Sequence, residues 1–129
     1  MKPTAQRLLF WGAMAACCGV ALGAFGAHGL RGTVPPDMLG VYETGVRYQM
    51  YHAFGLLVAG LACWIMAENV SKRFALAGWL FGAGVLLFSG SLYVLVLTNA
   101  TWLGAITPFG GLSFIAGWAV LASAFWKTG

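Results

Sequence analysis

With 129 residues, the chain has the length of one domain. Hydrophobic residues make up 60% of it and charged residues 8%, against about 25% charge in a soluble domain, so composition excludes a water-borne globular fold. The net charge of +4 comes from scattered side chains that form no basic patch. Nucleic-acid binding is therefore excluded, and the basic excess is read as membrane topology.

A hydrocarbon core is crossed by about 20 apolar residues. Residues 8–27 form an uncharged stretch of that length, preceded by Lys2 and Arg7. It is long for the apolar core of a signal peptide, and the cleavage-box-like Met14-Ala15-Ala16-Cys17 does not change that, so it is read as a retained first span. His28 to Pro36 is rich in Gly and Pro and reads as a loop. Pro35-Pro36-Asp37 then starts a helix, with acid at the positive end of its dipole. Leu39, Tyr42 and Val46 give the following segment an amphipathic face. It runs into a second span over residues 51–67, with Gly45 as the expected place for a bend.

After Lys72 and Arg73, no Asp, Glu, Lys, Arg or His occurs from Phe74 to Trp126. That run is too long for one crossing. Thr98-Asn99-Ala100-Thr101 divides it, giving a third span at 74–97. Thr107-Pro108 suits a helix start and opens a fourth at 107–126. The resulting expectation is an all-α, four-helix transmembrane bundle in one integral domain, residues 1–129. An amphipathic helical segment occupies its first, outer connection.

Orientation follows from the basic residues. Lys2, Arg7, Lys72, Arg73 and Lys127 share one side. The other side has Arg31 and Arg47, accompanied by Asp37 and Glu43. The positive-inside rule places both termini in the cytoplasm of a bacterial inner (plasma) membrane. Trp11, Trp64, Trp79 and Trp126 then fall near the inner interface, and Tyr42, Tyr48, Tyr51 and Trp102 near the outer one.

Helices in lipid associate through small residues that let backbones approach. Ala15, Gly19, Gly23 and Ala27 recur at steps of four in span one, and Gly55, Ala59, Cys63 and Ala67 in span two. Gly78 and Gly82 occupy span three, and Ser113 and Gly117 span four. These stripes predict close packing, against a second copy or a larger complex as well as within the chain. Ser89-Gly90-Ser91 is a candidate kink whose hydroxyls bond backbone carbonyls. Cys17, Cys18 and Cys63 lie in apolar stretches without paired spacing, which argues against a disulfide framework.

Most side chains able to do chemistry fall between residues 28 and 52. Glu43 and Arg47 stand four apart in the favourable order for an ion pair. Continued in steps of four, Glu43, Arg47 and Tyr51 lie above the Gly55 stripe and are expected to face the bundle mouth. His28 ends span one at the depth expected for His52, so the two histidines are expected to approach each other beside Glu43, Arg47, Tyr48 and Tyr51. Three readings follow from this cluster. In the first, its polar groups satisfy one another and tie the outer helix to the bundle. In the second, they bind a ligand or relay protons, as in a small transporter. In the third, His28 and His52 hold a haem, metal or quinone. No nucleophile, zinc-protease or dinucleotide motif is present, so no catalytic residue, cofactor or metal ligand is assigned. No span contains Asp or Glu at depth, which a proton-coupled exporter wants.

Four stretches carry a resemblance. They are Gly23-Ala24-Phe25-Gly26-Ala27-His28-Gly29-Leu30, Thr44 to Ala53 (Thr-Gly-Val-Arg-Tyr-Gln-Met-Tyr-His-Ala), Leu87-Phe88-Ser89-Gly90-Ser91-Leu92-Tyr93 and Ile106-Thr107-Pro108-Phe109-Gly110-Gly111. In these the chain resembles the YgdD-like family of small bacterial membrane proteins, which has eukaryotic relatives. The resemblance implies a multi-span inner-membrane protein of unassigned function and brings no catalytic residues with it. The function expected from the sequence is that of a non-enzymatic structural or accessory membrane protein, packing with itself or with a larger complex.

Overall fold

The computed structural model describes residues 1–129 as four long helices without strands. Helix α1 (Pro3–Leu30) ends in a π-helical turn, Gly26–Leu30. Helix α2 (Pro36–Ile65) is unbroken. Helix α3 (Glu68–Thr98) contains a second π turn, Val85–Ser89. A 3₁₀ segment, Thr101–Ala105, leads into α4 (Thr107–Trp126). All four are long and apolar enough to cross a membrane. The fold is an all-α, four-helix transmembrane bundle.

Local chemistry sets the helix ends. Proline occupies the first turn of α1, α2 and α4, where a missing N–H costs nothing. Asp37 and Glu68 place acid in the first turns of α2 and α3. Asn99 ends α3 in the left-handed conformation, with φ 58°. Lys2 reaches across to the C-terminal end of α2. Its Nζ donates to the carbonyls of Cys63 (3.0 Å) and Met66 (2.6 Å) and lies 3.7 Å from Glu68. A cation there neutralises the negative end of the α2 dipole.

Helices α1 and α2 pack antiparallel through glycines on α1. Gly12 lies against Leu56 and Leu57, Gly19 against Met50, Gly23 against Val46 and Gly26 against the Tyr42 ring. Gly45 does not interrupt α2. Its missing side chain admits the Tyr93 ring of α3, which a Cβ at Gly45 would meet at 2.9 Å. The 30 residues of α2 span about 45 Å, longer than a hydrocarbon core of about 30 Å.

Helices α3 and α4 pack by a repeated exchange of rings and glycines. Phe81 lies over Gly117 and Phe114 over Gly84, while Gly110 lets α4 approach the backbone of Phe88. Phe81 also covers Gly55 of α2, so one ring serves two glycines. Leu8, Ala59, Phe74, Phe81, Phe114 and Leu121 belong to the larger apolar core, toward the chain termini. A smaller core of Leu30, Tyr42, Leu95, Val96 and Leu103 closes the far end. Helices α1 and α3 touch near the termini, where Leu8 packs on Gly78. Farther along, a groove floored by α2 separates them.

Candidate polar site inside the bundle

The buried face of α2 follows alternating steps of three and four: Tyr42, Gly45, Gln49, His52, Leu56, Ala59 and Cys63. It does not follow the straight steps of four that place Glu43, Arg47 and Tyr51 above Gly55. Four residues turn a helix by about 400°, so each such step drifts about 40°, and three steps from Gly55 back to Glu43 drift about 120°. Glu43, Arg47, Tyr48 and Tyr51 are accordingly exposed. The chain's one ion pair is Lys2–Glu68, so Glu43 and Arg47 do not form the pair their spacing suggests.

The two histidines also stay apart. His28 lies exposed in the π turn of α1, two residues beyond Gly26, which packs on Tyr42. The stretch of α2 from Tyr42 to His52 rises about 15 Å along the helix axis. His52 therefore lies much deeper in the bundle than the C-terminal end of α1, because α2 packs along α1 from Tyr42 to Leu57. A shared haem or metal between His28 and His52 does not fit this placement.

His52 is buried and both its ring nitrogens are engaged. The Trp118 indole Nε1–H of α4 donates to His52 Nε2 at 3.0 Å. Nε2 is therefore the bare nitrogen, and Nδ1–H donates to the Tyr48 carbonyl at 2.6 Å. The imidazole stacks on Phe114, with centroids 3.4 Å apart and planes 8° from parallel. Of the residues singled out from the sequence, Tyr48 is the one brought to His52. It supplies its carbonyl, and its ring packs on Phe88 at 4.8 Å.

One turn farther out lies a second group. Gln49 Nε2 donates to the Ala15 carbonyl of α1 at 2.8 Å. Its Oε1 accepts from the Tyr93 hydroxyl of α3 at 2.7 Å. Gln49 thus ties three helices together. Ser89 Oγ donates to the Gly45 carbonyl at 2.6 Å, crossing to α2 rather than bonding within its own helix. Ser91, in contrast, bonds the Phe88 carbonyl of its own helix and the Thr107 hydroxyl of α4. Tyr42 donates to the Leu22 carbonyl at 2.7 Å, and Ser113 to the Leu80 carbonyl at 2.7 Å. Every buried side-chain nitrogen and oxygen has a partner. None of these groups is a carboxylate or a lysine.

Gln49, Tyr93 and Trp118 lie outside the polar cluster expected from the sequence. For Gln49 the signal was present: it lies three before His52 and four after Gly45, on their face. Among the small residues picked out, Gly19, Gly23, Gly55, Gly78 and Gly117 sit where another helix's side chains press in. Ala59 is fully buried, and Ala15 offers its carbonyl to Gln49. Gly82 differs, since its nearest neighbour is Leu56 at 4.0 Å and it faces the groove.

Comparison with known proteins places these features in context. A family described as "Protein of unknown function (DUF423)" matches residues 22–111, from the C-terminal part of α1 to the start of α4. The chain is 50% identical over 115 residues to UPF0382 membrane protein YwdK of Bacillus subtilis, covering 88% of this chain and 90% of the relative. It is 48% identical over 122 residues to UPF0382 membrane protein SH2409 of Staphylococcus haemolyticus, covering 95% and 97%. A Staphylococcus aureus relative, UPF0382 membrane protein SAB0533, gives the same identity and coverage. No solved structure matches the chain.

Proposed function

We propose that this chain, which belongs to the DUF423 family of membrane proteins, is a non-enzymatic accessory protein that packs with itself or with a larger membrane complex. One observation carries the reading: its interior polar groups are joined to one another and to backbone, and no carboxylate lies among them. Intramembrane polar groups that move protons or substrates normally include an ionisable member facing a pathway. Here His52 is closed in by Trp118 and the Tyr48 carbonyl, and Glu43 stands exposed on the outer part of α2. The same groups would serve architecture, tying α2 to each of the other helices.

Within this proposal the protein resides in the bacterial inner membrane with both termini cytoplasmic, and its relatives include the YgdD-like proteins. Tags at either end are expected to be digested by protease in inside-out vesicles and protected in right-side-out ones; the reverse pattern contradicts the orientation. For the packing role, light scattering of the protein extracted in mild detergent is expected to give a mass of two or more chains, or of a larger assembly. A lone, partner-free monomer at every extraction condition counts against it.

A further inference from the structure

A groove of about 710 Å³ opens sideways between α1 and α3, within the size range of small-molecule sites. Trp11, Met14 and Cys18 of α1 form one wall, and Trp79, Ala83 and Leu86 of α3 the other. Both tryptophans are about half exposed at its rim. Gln49 and Tyr93 also line it and are the hydrogen-bonding side chains of its inner part, the two tryptophan indole N–H groups lying at the rim. No charged side chain lines it.

Gln49 is 4% exposed, yet it uses only part of its capacity. A primary amide has two N–H donors and two acceptor lone pairs. One donor goes to Ala15 and one lone pair to Tyr93. A second N–H and a second lone pair of Gln49 are left without a partner in the protein. Gln49 also lies deep. It bonds Ala15, which stands about 20 Å along α1 from Lys2, near the middle of a core of about 30 Å.

We propose that this groove binds a neutral, lipid-soluble molecule with a carbonyl-bearing head and an apolar tail, the carbonyl accepting from the free Gln49 N–H. Charge and depth select the class. A phosphate or carboxylate head would be stranded near the bilayer centre without a counter-ion. A neutral carbonyl gains a donor there and leaves none unmet. An isoprenoid-type quinone and a neutral glyceride share this chemistry.

The test uses the full chain purified in mild detergent, with decylubiquinone, dioctanoylglycerol and oleate as separate probes. Binding is read as a saturable rise in unfolding temperature, since a ligand of the folded state stabilises it. Decylubiquinone, dioctanoylglycerol or both are expected to bind, and which of them does identifies the source; oleate is expected not to. Gln49→Leu should weaken binding about tenfold, the scale of one lost hydrogen bond in a dry site. Gly82→Leu fills the groove at a position with open space, so it should abolish the shift while the unliganded protein unfolds no earlier. Absence of saturable binding by both neutral probes, or a shift that survives Gly82→Leu, overturns the proposal. So does a fall in oligomeric mass in Gly82→Leu without any probe binding, which would put a helix of a second copy in the groove.

Discussion

Gly110→Leu is expected to be the most damaging single substitution in the protein, separating α4 from α3. A Cβ at residue 110 would run into the backbone nitrogen of Phe88, and would fall 2.8 Å from its Cα. Backbone inside the π turn Val85–Ser89 has no rotamer to escape into, so the helices themselves must part. Overpacking in a core costs about 1–3 kcal/mol, and a clash with backbone belongs at or above the top of that range. The loss would reach the Ser91–Thr107 bond, the Ser113–Leu80 bond and the stacking of Phe114 on His52. Unfolding in mild detergent, followed by tryptophan fluorescence, should show a collapse in folded yield for Gly110→Leu. Gly110→Ala should show a clearly lowered midpoint. Gly82→Ala is the contrasting case: its Cβ meets open space, and the loss of backbone freedom in the unfolded chain stabilises by about 0.4–1 kcal/mol. Equal effects of alanine at positions 82 and 110 would contradict the close approach of α4 to the α3 backbone at Gly110.

His52→Ala is expected to cost about 3 kcal/mol, from a cavity beside Phe114 and an unpaired Trp118 N–H. Two further variants separate these causes. His52→Phe keeps a ring on Phe114 and loses only the hydrogen bonds, so it should cost about 1–2 kcal/mol. Trp118→Phe removes the donor and leaves His52 Nε2 unpaired, a loss of about 1 kcal/mol, in line with hydrogen bonds measured between membrane helices. In the double variant His52→Phe with Trp118→Phe, the penalty should be smaller than the sum, because no polar group is then left without its partner. A fully additive result would mean that the two side chains do not interact.

Fold class was legible from charge alone. Lys72 and Arg73 bound the charge-free run, and Thr98 to Thr101 divides it, where Asn99 takes the left-handed turn that ends α3. The amphipathic first part of α2 was legible as well, since Leu39, Tyr42 and Val46 share a face that turns inward. Register was harder. A stripe read in steps of four holds over two turns and drifts off the interface over four, which sets Glu43, Arg47 and Tyr51 beside His52 in the expected polar cluster and leaves Gln49 out of it. The π turn at Val85–Ser89 had a different obstacle. Ser89-Gly90-Ser91 announces an irregularity, but only the Gly45 carbonyl waiting on α2 shows what the wide turn achieves. Partners such as Trp118 for His52, or Leu22 for Tyr42, come from other helices, and no local pattern encodes them.

The central claim is that the polar groups buried in the bundle serve to join its helices, and the protonation pattern of His52 tests it most directly. Nitrogen-15 NMR of histidine-labelled protein in lipid at pH 7 should show His52 neutral, with the proton on Nδ1 and Nε2 bare. In Trp118→Phe the Nε2 resonance should move as it loses its donor, while Nδ1–H stays bound to the Tyr48 carbonyl. A proton on Nε2, or on both nitrogens, would break the bond to Trp118 and contradict the account.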